Sequence, residues 1–439
     1  MSLSRRVVRS ARALAIDQLP AEVIDKVKIG LLDFLSCAYE ARELPWGCQA
    51  IQMASSATGP ATVIGTPVRS SFTDAAFANA TLGHGLVRED MHAGAVSHLG
   101  VVIFPTLLAL AQHSKASGRD FIAGAVCGYE VGASIGRAIM DREIVRRFRP
   151  TGITGPLAGA IAGSRLLALN EDATVSALGF AANATGGLNE WPYSGADDMF
   201  FHPGFAARNA VTAVQLASSG ARASETALDG RAGLFAGLNK ADCVAQAAPF
   251  TGGTFEILLV YYKPAPACNY AQTATQAALA LATQDGFHSG DVESILVKAS
   301  EAAVRYPGCD YAGPFDRILQ AKMSIQYCVA ATLARGAIEE SNYRTLNDPE
   351  INRLARATRL EIDPAFTAAY PAAQGTEVML NMRDGRTAST KLDDVIPATS
   401  EQIRARFRAA CPHWRAIEAI VDKLEEQQDM SILIGGLTE

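Results

Sequence analysis

From residue 20 to about residue 245 the chain reads as one amphipathic helix after another, and near residue 256 that texture stops. A 3.6-residue apolar period buries a stripe, whereas strict alternation buries one face of a strand. A chain that passes from the first to the second therefore builds two different kinds of packed layer. In the first stretch, "LPAEVIDKVKIGLLDFLSCAYEA" places Pro20 at a helix start and spaces Val23, Val27, Leu32 and Leu35 for one face. "FPTLLALAQHSKASGRDFIAGAVCGYEVGASIGRAI" predicts two further helices joined near Ser117 and Gly118. Gly128, Gly132 and Gly136 stand four apart in the second of these. No strand precedes them, so they read as close helix packing and not as a phosphate loop.

After the change, "ESILVKAS" (293–300), "TRLEID" (358–363) and "TEVMLNM" (376–382) read as strands. Asp384-Gly385 signals a hairpin, with "TASTKL" returning. "RILQAKMSIQYCVAATLARGAIEE" predicts one long helix between them, and the chain turns helical again over Glu401–Glu426. The expected fold class is a multidomain α+β protein. A large all-helical domain, residues 1–258 plus 396–439, carries a smaller α+β lid domain, residues 259–395, inserted before its last helices. The cleft between two such domains is a usual seat for a ligand.

Composition narrows the function classes. Hydrophobic residues make up 49% and charged residues only 19%, below the roughly 25% of an average soluble protein. Extra buried surface is implied, and a subunit interface would supply it. A net charge of −6 argues against a nucleic-acid partner, and no apolar run is long enough to predict a membrane span. The N-terminus is basic and carries serines, but Asp17 and Glu22 arrive early, so a cytoplasmic protein is expected. Eight scattered cysteines without a CxxC read as reduced thiols.

Four stretches carry candidate chemistry. "HGLVREDMHAGAVSHLG" holds three of the seven histidines, His84, His92 and His98. Their spacings of eight and six do not suit helix-borne metal ligands, so no metal is expected. His84 reads as a satisfied helix histidine, while His92 and His98 lie among glycines before a helix start, where carboxylates are favoured. "RRFRPTGITG" offers Arg149 as a carboxylate clamp or as part of a solvated charge run. His202, in "FHPGFAA", is either a cap or a site residue. "VYYKPAPACNY" places Lys263 beside Cys268 and Asn269 at the change of texture, and there the site reading is preferred over a snorkelling surface lysine.

Together these stretches resemble the MmgE/PrpD family. The likeness runs through "LPAEVIDKVKIGLLDFLSCA", "ANATLGHGL…EDMH…SHLG…FPTLLALA", "GYEVGASIGRA", "FRPTGITG", "HPGFAA", "YKPAPACNY" and "KMSIQYCVAATL". The resemblance implies a helical domain with a smaller α+β lid, a homodimer, a small polycarboxylate substrate, and no metal or organic cofactor. It also implies His98, Lys263 and Tyr327 as catalytic groups. The chain departs from the dehydratase-like pattern LDFDDTH, with Val87 at the first aspartate and Met91 at the threonine; Arg149 replaces a histidine, and a common lysine before His202 is missing.

Those losses remove groups that could protonate a departing hydroxyl, whereas inversion next to a carboxylate needs a base, nearby cations and a second acid on the opposite face. The expected function is therefore an epimerase inverting a centre α to a carboxylate in an amino- or imino-dicarboxylate such as iminodisuccinate. Lys263 and His98 would be the opposed proton-transfer pair, with Tyr327 in support. Arg88, His92, Arg149, Cys268, Asn269 and His202 would bind substrate. The alternatives are a hydro-lyase of the 2-methylcitrate type and a catalytically dead dicarboxylate-binding relative.

Overall fold

The computed structural model describes residues 1–438, the side chain of His113 apart. Helix α1 (Ala21–Glu40) follows Pro20 directly, and α2 (Phe72–His84) is capped by Ser71, whose hydroxyl accepts from the Asp74 amide. A short strand, β1 (Asp90–His92), then leads into α3 (Gly100–Ser114), α4 (Gly118–Ile139) and α5 (Pro150–Leu166). Ser117 and Asp120 form a capping box that starts α4. The long α6 (Asp198–Ser218) completes a packed helical body with α2, α3 and α5.

The three spaced glycines do what their spacing predicts. A Cβ on Gly132 would stand 2.8 Å from the Ala158 Cβ, and one on Gly128 would stand 3.1 Å from the Ala158 carbonyl oxygen. One on Gly136 would reach the Ala95 Cβ at 2.7 Å. Helices α4 and α5 therefore approach more closely than side chains at those positions would allow.

Strand β2 (Val260–Tyr262) and helix α7 (Gln272–Ala282) open the second part. Its four-stranded sheet has the order β4 (Thr358–Ile362), β3 (Val292–Ala299), β5 (Thr376–Met382), β6 (Thr387–Leu392). β3 pairs parallel with β4, and the other pairs are antiparallel. Gly385 takes φ 86° in the expected β5–β6 hairpin, a conformation glycine adopts without steric cost. Val378, Leu380 and Met382 point inward from β5, and α7 packs on β5 and β6. The last long helix, α10 (Ser400–Ala410), returns to pack on α1. The whole is a mostly helical multidomain α+β fold. No helix among the described residues is long and apolar enough to cross a membrane.

Three sequence expectations are corrected. The single long helix is two, α8 (Ile318–Met323) and α9 (Ile325–Arg335), because Ser324 leaves helical geometry and caps α9 through the Tyr327 amide. The helix expected over Glu401–Glu426 breaks after Ala410, where Pro412 cannot continue it. The stretch in which His92 and His98 read as lying among glycines before a helix start contains β1, which pairs with β2.

Candidate active site

The β1–β2 ladder builds the site. Its antiparallel register pairs Asp90 with Tyr262, so the next residues outward, Glu89 and Lys263, stand opposite each other at the end of the ladder. Lys263 is fully buried, and its Nζ lies 3.3 Å from Glu89 Oε1. The same oxygen has His84 Nδ1 at 2.9 Å and His98 Nδ1 at 3.2 Å. One carboxylate is thus ringed by a lysine and two imidazoles.

Other side chains fix this geometry. Gln272, at the start of α7, accepts from the Ala265 amide and donates to the carbonyls of Ala265, Ala267 and Cys268, holding the proline-rich turn after Lys263. Arg406 in α10 donates to the carbonyls of Lys263 and Pro264. Lys322 in α8 donates to Leu86 O and Pro266 O, 2.9 Å each, and pairs with Glu340. It thereby fastens the loop before Glu89 to the loop after Lys263.

Tautomers follow from the partners. His98 Nδ1 donates to the Asp90 carbonyl at 2.7 Å, which leaves Nε2 as the nitrogen with a free lone pair. Arg149 Nη2 donates to His84 Nε2 at 3.1 Å, so His84 carries its proton on Nδ1, toward Glu89. Burial opposes charge on Glu89, yet His84, Lys263 and His98 hold its pKa well below the ordinary carboxylate value. Burial, with Lys263 close by, pushes His98 well below the usual imidazole value, and burial also lowers His84. The resting site is a carboxylate, neutral imidazoles and the cationic side chains of Lys263 and Arg149.

In front of this cluster lies a chamber of about 40 Å³, onto which His98, Arg149, Lys263, Cys268 and Asn269 open. Val87, Trp191 and Met199 form apolar walls. The Arg149 guanidinium lies over the Trp191 ring, and its Nε is buried with no partner among the described residues. Val87 (φ 60°) and Val96 (φ 51°) both line the chamber in left-handed conformations that cost a β-branched residue energy. Such strain clusters at functional sites. Cys268 Sγ lies 3.8 Å from Cys309 Sγ, whose thiol donates to it and lowers its pKa. The Asn269 side chain is tied to Tyr261 and Gln374.

The structure thus brings His98, Lys263, Arg149, Cys268 and Asn269 together and places the remaining candidates elsewhere. Arg88 turns away to pair with Glu40 at 2.9 Å. His92 bonds Glu256 at 2.9 Å and accepts from the Ala95 amide, fastening the turn before His98. The Tyr327 hydroxyl donates to Asn342 O at 3.0 Å, and its ring packs on Phe315 and Tyr343. His202 lies behind the chamber against Gly187; burial, Arg149 and His84 push its pKa down to about 3. His84, read from sequence as a satisfied helix histidine, belongs to the cluster. Glu89 was missed as a site residue, because only the register of two strands distant in sequence reveals it.

A helical body is joined to an α+β part, and a buried cluster of titratable side chains lies at the joint, held by a strand pair. The chain belongs to the MmgE/PrpD family: the MmgE/PrpD N-terminal domain matches residues 5–246, and the MmgE/PrpD C-terminal domain matches residues 265–427. Among curated relatives, a cis-aconitate decarboxylase of Aspergillus terreus is 33% identical over 232 residues, 50% of this chain and 46% of that protein. The matched part therefore spans about half the length of that relative. A cis-aconitate decarboxylase of Mus musculus is 27% identical over 401 residues, 85% of this chain and 80% of its own. A 2-methylcitrate dehydratase-like protein, oryR, of Aspergillus oryzae is 28% identical over 169 residues, 36% of this chain and 32% of its own. The family members named here are enzymes, and their names describe decarboxylation and dehydration, not epimerisation.

Proposed function

We propose that this chain is an acid/base lyase that eliminates water or carbon dioxide from a small tricarboxylate through a carbanion next to a carboxylate. This replaces the epimerase as the preferred reading. The observation that carries it is the buried pair His98 and Lys263, both held by Glu89 from behind, facing a chamber beside the free Nε of Arg149. The losses of a carboxylate, a histidine and a lysine from the family pattern speak against a lyase, but Lys263, held by Glu89, is a proton donor that remains at the chamber.

His98 Nε2 takes the proton α to a carboxylate. Arg149 and Lys263 hold the carboxylates and neutralise the enolate-like charge, strengthened by the apolar walls. In a β-hydroxy substrate Lys263 Nζ then gives a proton to the departing hydroxyl; in decarboxylation no proton is abstracted, the electron pair of the breaking C–C bond stays on the substrate as carbon dioxide leaves, and Lys263 Nζ protonates that carbanion. Inversion at the same carbon is the second reading, favoured by Val87, whose apolar wall offers nothing to a departing oxygen. The active unit is read as a homodimer.

The test incubates the enzyme with cis-aconitate and with 2-methylcitrate in D₂O. The expected result is carbon dioxide release or a new double bond seen by ultraviolet absorbance. Solvent deuterium entering with inversion and no new product would replace the lyase by the epimerase. Binding without exchange or turnover would leave a dead relative.

A further inference from the structure

One wall of the chamber carries a second thiol behind the first. Cys268 opens onto the chamber, and Cys309 stands behind it, fully buried, with its Sγ 3.8 Å from the Cys268 Sγ. The break between α8 and α9 holds both in place. The Cys268 amide donates to the Lys322 carbonyl at 2.8 Å, and the Ile325 amide donates to the Cys309 carbonyl at 2.9 Å. Neither cysteine lies in a helix or strand. A disulfide needs its sulfurs about 2.05 Å apart, so a side-chain approach of roughly 1.8 Å joins the two.

The thiols are not equivalent. The Cys309 thiol and the Tyr270 backbone amide donate to the Cys268 sulfur, and Lys263 and Arg149 stand near it, which holds its pKa below the ordinary thiol value despite burial. Burial and the neighbouring Cys268 push Cys309 well above that value. Cys268 is therefore the nucleophile of the pair and Cys309 its proton-bearing partner. The chamber's 40 Å³, room for about three waters, admits hydrogen peroxide but not a bulkier oxidant such as a peptide disulfide.

We propose that Cys268 and Cys309 form a peroxide-oxidised dithiol in the chamber wall, in which Cys268 is attacked first and Cys309 closes the disulfide. The Cys268 thiolate attacks one peroxide oxygen; the S–O bond forms, the O–O bond breaks and hydroxide leaves, with the sulfur oxidised to a sulfenic acid. Cys309 then gives up its proton and attacks that sulfur; the S–S bond forms, the S–O bond breaks and a second hydroxide leaves. The protons released by the two thiols turn both hydroxides into water. The dithiol loses two electrons and the peroxide gains them. The bridge withdraws the thiol that Cys268 presents to the chamber.

The test treats the reduced full chain with a modest excess of hydrogen peroxide, blocks free thiols with iodoacetamide in denaturant and maps peptides without reduction. Two of the eight thiols are expected to disappear together as a Cys268–Cys309 bridge, and dithiothreitol to restore both. Exposure alone would favour Cys48; oxidation of Cys48 with the buried pair left reduced overturns the proposal. Cys309→Ser, close in volume and outside the chamber lining, is expected to form no bridge and to accumulate the Cys268 sulfenic acid. That is read as a several-fold rise in dimedone labelling of Cys268 over wild type. No rise overturns the proposal, as does a wild-type bridge from Cys268 to Cys328. The bridge forms whatever reaction the chamber runs, so its mapping tests this proposal apart from the lyase reading.

Discussion

Glu89 acts from behind the chamber wall, which makes it a positioning residue and His98 and Lys263 the groups that meet substrate. His98→Ala is expected to lower kcat by about 10²–10⁴ with the fold intact, the usual range for a lost acid/base group. Because burial keeps His98 neutral, the acid limb of kcat/KM should lie below pH 6.5, the ordinary imidazole value; a limb at or above that value would remove His98 as the base. Arg88→Ala gives the opposite pattern, a loss of roughly 1–3 kcal/mol in stability with KM unchanged, because its partner is Glu40 and not substrate. Asp33 offers a separate check by pH. Burial raises its pKa to about 7, whereas the unfolded value is about 3.9. Between these values the folded state binds a proton that the unfolded chain has released, so stability falls as pH rises, by up to about 1.4 kcal/mol per unit. Urea titrations of Asp33→Asn and wild type should therefore diverge in the variant's favour from pH 4 to 7 and run parallel above.

At the scale of elements, helix packing was legible and strand pairing was not. The glycine spacing of α4 already announced a close neighbour, and α5 is that neighbour. Gly132→Leu should cost about 1–3 kcal/mol by overpacking against Ala158 and Leu99, read as a lower urea midpoint with an unchanged slope. Three strands of the larger sheet were visible in their residue pattern, and the fourth in the hairpin signal of Asp384-Gly385. β1 and β2 have only three residues each, too short for a period to show. Yet their register sets Glu89 against Lys263, so a pair of very short strands carries the site. Ser324 and Pro412 broke the expected helices for local reasons, a side-chain cap and a missing donor.

At the scale of the whole molecule, α6 presents Phe205, Asn209, Thr212 and Leu216 at helical spacing, with Phe205 50% and Leu216 43% exposed. Two exposed apolar side chains on one helix face of a chain low in charge are a candidate seat for the expected homodimer. Phe205→Asp with Leu216→Asp should halve the mass seen by sedimentation at micromolar concentration while circular dichroism stays unchanged. A dimer that survives both substitutions must use another face.

By itself the sequence determined the change from helical to α+β texture, the four longer strands and the close α4–α5 contact, and it singled out Lys263 and His98, which the fold brings to one carboxylate. These are properties of periodicity, side-chain size and motif, all local to a stretch of chain. Only the tertiary structure decided that Glu89 and His84 join them, and that Arg88, His92 and Tyr327 are engaged elsewhere. The reason is physical. A side chain's partner depends on register and crossing between segments some 170 residues apart, as in Glu89 and Lys263, and no local pattern encodes which of its neighbours a buried charge will meet.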